Sequence, residues 1–231
     1  MTRAWRNLLF GLLGLTLLLA GSQVHAKDAA ARYPSMAAFE QYQEADTASE
    51  IALARSAAPA ALSNDAEILV LGRHGFEAAV KGKNGFVCLV ERSWINTFDF
   101  PEFWNPKIRS PTCYNPAAAR SILAAHLEQA SWVLGNLSMA EMQARAKVAV
   151  TRHAAPPPSA MCYMMSKQGY LEDAMGHAAP HLMFFLPHTA ESAWGANLAG
   201  SPVRAEQGDP EPFTVFYVTV SRWSDGTPAA H

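Results

Sequence analysis

An α+β domain with a mostly antiparallel sheet is the fold class this sequence predicts, and three observations predict it. Residues 67–92 hold three short β-like runs separated by glycine-bounded breaks. The middle of the chain holds two long stretches with helical caps, and β-like runs return after Pro156, Pro157 and Pro158. Strands at both ends with helices between them favour antiparallel pairing and segregated helices over alternating βα units.

Each element has its own signal. Pro34 and Ser35 precede a helical stretch beginning at Met36, and a second helix is expected over Asp46 to Ala57. There Thr47 and Glu50 have the spacing of a capping box and Pro59 is the stop. The runs EILVLG, FEAAVKG and FVCLVER then read as an N-terminal three-stranded β-meander over about 67–92. Phe76, Ala78 and Val80 alternate with Glu77, Ala79 and Lys81, and the Asn84-Gly85 pair is a hairpin signal because both residues tolerate positive φ. Ser93 to Pro116, rich in proline, aromatics and asparagine, predicts an irregular crossing held by aromatic packing. Asn115 as N-cap with Pro116 at the first helical position opens a helix to about Leu134, where Gly135 and Asn136 end it. Ser138 and Glu141 form the capping box of a third helix to about Thr151. The runs AMCYMM, HLMFFL and FTVFYVTV predict strands, and Asp225 to Pro228 turns the chain into a loose C-terminal tail. The meander is thus expected to pack against two to four helices in a single domain over 27–231.

Residues 1–26 have the layout of a signal peptide. Arg3 and Arg6 form a positive start, Leu8 to Ala20 an apolar run, and the segment closes on small residues with a cut after Ala26. Thirteen helical residues span roughly 20 Å, short of the roughly 30 Å hydrocarbon core, so no stable membrane anchor is expected. Ser22 stands where a lipoprotein would need cysteine. The expected location is therefore periplasmic or secreted. Losing Arg3 and Arg6 from a chain with 18 basic and 20 acidic residues leaves a formal charge of −4. With no basic patch, nucleic acid is not an expected partner. Hydrophobic residues make up 50% of the chain and charged ones 16%, which excludes global disorder.

Export makes a disulfide available to Cys88, Cys113 and Cys162. A Cys88–Cys113 bridge is expected because it would pin the irregular Pro101 to Pro111 crossing, leaving Cys162 alone.

The chemistry-bearing residues give three expectations. Arg73 and His74, in the turn between the first two strands, are candidates for ligand binding, Arg73 toward an anion. Cys162 with His177 or His181 has the residue types of a thiol hydrolase acting on amide bonds. His177, His181 and His188 around one strand could ligate a transition metal such as zinc, although Pro180 prevents a helical pair of ligands and no cofactor is required.

The segments LVLGRHGFEAAVKGKNGFVCLVERSW, AMCYMMSKQGYLEDAMGHAAPHLMFFLPH and WGANLAGSP resemble a family of uncharacterised bacterial proteins with N-terminal export signals. The resemblance spans most of residues 27–231. It implies a bacterial origin and an intact domain, and it carries no mechanism. The function expected on these grounds is binding of an unknown small molecule or envelope component, with no assignable reaction. The pocket is expected near His74, His177 and His181.

Overall fold

The structure, a computed structural model, describes residues 32–152, 155–207 and 213–229. The expected signal peptide lies outside them. Among the described residues no helix is long and apolar enough to cross a membrane. The fold is α+β: the described residues form one eight-stranded sheet and five α-helices. In chain order these are α1 (Thr47–Arg55), α2 (Ala60–Ser63), β1 (Glu67–Gly72), β2 (Gly75–Val80), β3 (Val87–Glu91), β4 (Ser110–Tyr114), α3 (Pro116–Ala119), α4 (Ile122–Leu134), α5 (Met139–Arg152), β5 (Met161–Met164), β6 (His181–Pro187), β7 (Val203–Gln207) and β8 (Phe213–Thr219). The strand order is β2-β1-β3-β4-β5-β6-β8-β7, and every neighbour is antiparallel except the β1–β3 pair.

The first three strands form where expected but not as a meander. β1 and β2 are a hairpin, whereas β3 lies on the other side of β1 and runs parallel to it. Burial explains the arrangement. β1 buries Ile68, Leu69 and Leu71, so it needs cover on both faces and takes an inner position, while Glu77, Ala78 and Ala79 of β2 are exposed and suit an edge. The 81–86 connection passes across the start of β1, where Lys83 N donates to Asp65 O and Glu67 N donates to Phe86 O. Asn84 and Gly85 do turn the chain. Asn84 Oδ1 accepts from Phe86 N, Nδ2 donates to Leu62 O, and Gly85 has φ +77°.

Cys88 and Cys113 are bonded, as expected. The bridge joins directly opposed residues of β3 and β4, so it staples two inner strands rather than a free loop. β4 itself falls inside the stretch expected to be irregular, and β7 falls outside the runs expected to be strands. Pro111 argues against an inner strand because it has no N–H to donate. It is accommodated because the β4–β5 register covers only Cys113 and Tyr114.

Helices cover both faces. On one, Ala118, Ile122 and Leu123 of α3 and α4 pack on Leu69, Leu89, Tyr114 and Phe185. On the other, Leu53, Ala54 and Ala57 meet Ile68, Cys88, Val90 and Cys113. A third cluster buries Trp94 and Phe103 of the aromatic crossing with Tyr42, Trp132 and Met142. The helix expected from Met36 is a 3-10 turn at Phe39–Tyr42. The expected 116–134 helix is interrupted at Arg120 and Ser121. The capping box of α5 is reciprocal: Ser138 N donates to Glu141 Oε2 at 2.8 Å and Glu141 N to Ser138 Oγ at 3.3 Å. On α1, however, Asp46 is the cap, accepting from Ser49 N at 2.7 Å. Glu50 is buried instead, where it accepts from Leu71 N and pairs with Arg92. The tail expected to be loose is tied down through residue 229. Ser224 N donates to Met165 O, Ala229 N to Ser221 O, and Lys167 pairs with Asp225.

Candidate functional site

The tip of the β1–β2 hairpin, the Met36–Phe39 segment and the end of α4 enclose a cleft of about 280 Å³, lined by Met36, Ala37, Phe39, Arg73, Leu134 and Asn136. Local sequence builds each wall. Gly75, with φ +144°, allows the tight return that presents Arg73. Asn136 takes φ +57° where α4 ends, and Gly135, Asn136 and Leu137 donate back to Ser131 O, Val133 O and Trp132 O. The Arg73 guanidinium carbon lies 5.3 Å above the Phe39 ring, and Nη2 donates to Glu40 Oε1 at 3.0 Å. Glu40 is held below the ordinary carboxyl range, first by its own backbone N–H and then by Arg73. One guanidinium face and one nitrogen are thereby fixed, while the other N–H donors of Arg73 have no protein partner among the described residues. This geometry suits a carboxylate, which a guanidinium meets with paired N–H groups. His74 sits exposed at the same tip but does not line the cleft.

The remaining candidates lie elsewhere. His181 opens β6, and between β1 and β6 come β3, β4 and β5, four strand spacings or about 19 Å. His74 therefore does not join His177 and His181. His181 is buried, and its Nδ1 lies 2.8 Å from Ala179 O, which fixes the proton on Nδ1 and leaves the lone pair on Nε2. Burial lowers its pKa and so favours the neutral ring. A narrow cleft of about 10 Å³ runs beside His181, Met164, Ser166 and Gly169. His177 bonds to Gly169 O through Nδ1 and meets the Tyr170 ring edge-on. His188 follows the far end of β6, about 23 Å of extended chain from His181. Among the described residues no three of His, Cys, Asp and Glu gather where they could hold a metal ion.

Cys162 is fully buried. Burial first, and then the charge of Glu91, pushes its thiol well above the ordinary range, and no hydrogen bond joins it to His177 or His181. A thiol nucleophile needs the opposite: a lowered pKa and an adjacent base.

Under α4 lies a polar network that sequence reasoning missed. Glu91 Oε1 is 2.7 Å from His126 Nδ1 and accepts from Tyr114 OH at 2.9 Å, while Glu91 Oε2 accepts from Thr112 Oγ1 at 2.8 Å. Glu91, Thr112 and Tyr114 are almost wholly buried. The signal was present: His126 interrupts the apolar stripe of Ile122, Leu123, Ala130 and Val133, and Glu91 falls two residues after Leu89 and four after Val87, on the face of β3 that packs under α3 and α4. A second cluster gathers on Asp173, which accepts from Tyr33 OH at 2.9 Å, Tyr170 OH at 2.7 Å and Arg32.

No family model, curated protein or solved structure matches this chain.

Proposed function

We propose that this is an exported bacterial protein that binds a small carboxylate with an apolar body in the cleft at Arg73. The observation that carries the reading is the cleft itself: apolar walls from Met36, Phe39 and Leu134, and one guanidinium with donors to spare. Its size, just under the usual range for small-molecule sites, fits a compact ligand such as an aryl or short alkyl carboxylate. Export is supported by the signal-like residues 1–26, by the Cys88–Cys113 disulfide and by the resemblance to exported bacterial proteins. The whereabouts are periplasmic or secreted, and no chemical step is assigned.

Thermal unfolding of the purified protein with aryl and short alkyl carboxylates tests the binding. Ligands at concentrations well above Kd raise Tm through linkage. The expected result is a rise with carboxylates, none with the matching primary alcohols, and loss of the rise in Arg73→Ala. An equal rise in Arg73→Ala, or no rise with any carboxylate, rejects the cleft as the site.

A further inference from the structure

We propose that Met164, His181 and Met183, with Cys162 beneath them, form a binding site for a soft monovalent cation of the Cu(I) type. The register of β5 and β6 places Cys162 opposite Met183 and Met164 opposite His181. Opposed residues, and residues two apart on a strand, point to one face of a sheet. The four side chains therefore stand at the corners of a block roughly 5 Å by 7 Å. Packing agrees: Met164 and Met183 both lie against the core cluster that contains Cys162. His181 faces the ring of Tyr217, which opposes Met183 from β8 on the same side.

The donor set is specific in character. The two thioethers are neutral, soft donors that select Cu(I), and an imidazole is compatible with copper, whereas Mg²⁺ and Ca²⁺ call for carboxylate and carbonyl oxygens. His181 has the second-shell arrangement of a metal-bound histidine, Nδ1–H on a backbone carbonyl, and nothing among the described residues bonds its Nε2. The cleft of about 10 Å³ beside Met164 and His181 is the size of one water molecule, enough to admit a bare ion. Of the three histidines the sequence suggested as ligands, only His181 belongs to this set, and its partners are methionines.

The site is independent of the Arg73 cleft, and the test keeps the two apart. The protein is titrated without oxygen, under ascorbate, against the coloured Cu(I) complex of a bidentate pyridyl chelator. The expected outcome is one Cu(I) withdrawn per chain, no displacement by equimolar Zn(II), and an affinity at least tenfold lower in the Met164→Leu/Met183→Leu variant and in His181→Gln. Leucine for methionine nearly conserves volume, and an unchanged circular dichroism spectrum confirms that the double variant is folded. Arg73→Ala is expected to keep the wild-type affinity. X-ray absorption at the copper edge of the wild-type complex gives a second reading that needs no variant: sulfur and imidazole nitrogen scatterers support the site, and nitrogen and oxygen alone reject it. Failure of the wild type to withdraw Cu(I) rejects it too, as does a double variant that binds as tightly as wild type.

Discussion

Glu91 is a carboxylate placed where the alternation of β3 delivers side chains to the core, and its three partners explain how the fold accommodates it. Thr112 and Tyr114 donate to it from β4, and His126 meets it from α4, so the network fastens the helix to two inner strands. Removing the acceptor of a buried charge-assisted network costs about 3 kcal/mol or more. Glu91→Ala is therefore expected to lose about that much stability in urea unfolding, and Glu91→Gln, which keeps an acceptor oxygen, clearly less. Equal losses for the two variants would show that volume rather than hydrogen bonding matters at this position. The neighbouring Arg92 follows the same logic. Burial pulls its pKa down to about 10, which still leaves it charged at pH 7, and Glu50 is its ion-pair partner. The sequence hinted at Glu50 only as a capping residue. Its spacing from Thr47 fits a capping box, but Asp46 caps the helix one residue earlier, which frees Glu50 for Leu71 N and Arg92.

At the scale of elements, the decisive stretch is the 81–86 connection, because it sends β3 past β1 instead of back along β2. Its tightest point is Gly82: a Cβ there would lie 2.3 Å from Glu67 N and 2.9 Å from Ala66 C, backbone atoms that cannot yield as a side chain would. Gly82→Ala is expected to cost about 1–3 kcal/mol, the usual scale of overpacking. Hydrogen exchange should show the loss of protection first at Glu67 N, which donates to Phe86 O across this contact. Protection equal to wild type there would contradict the close approach. Which strands pair was hidden from the sequence. A Gly82–Gly85 turn is equally compatible with a hairpin, and the choice falls to β1, whose buried faces need neighbours on both sides. β4 was hidden for another reason, since Pro111 and the surrounding aromatics carry the signature of a loop.

Across the whole molecule, Asp173 joins segments far apart in the chain. Arg32 and Tyr33 approach from one end, Lys107 from the aromatic crossing and Tyr170 from the β5–β6 connection. Burial pushes the Asp173 carboxyl up, but the hydrogen bonds from Tyr170, Tyr33 and Arg32 and the charge of Lys107 prevail and hold it well below the usual range. Tyr170 is in turn raised to about 12, chiefly by its hydrogen bond to Asp173. A carboxyl depressed in the folded state contributes stability above its unfolded pKa of roughly 4, and that contribution disappears as pH falls through the lower folded value. Wild type is thus expected to lose urea resistance as the pH falls below about 4, and Asp173→Asn to be less stable at neutral pH with a shallower acid limb. Parallel acid limbs for the two proteins would exclude Asp173 as their source.

The sequence by itself determined what short-range chemistry can fix. That includes the caps at Asn115 and Ser138, the existence of strands at β1, β2, β3 and β8, the α+β class, and a Cys88–Cys113 pairing that the fold contains. These depend on residues within a few positions of one another, or on there being three thiols to choose from. Only the tertiary structure decided which strands are neighbours, and with that every site. It separated His74 from His181 by the breadth of three strands, brought Arg73 to Phe39 and Leu134, gathered Glu91, Tyr114 and His126, and set Met164 against His181. The physical reason is that burial is settled by the whole sheet at once. A strand's place follows from how much apolar surface its neighbours leave uncovered, and that quantity cannot be read from one stretch of chain.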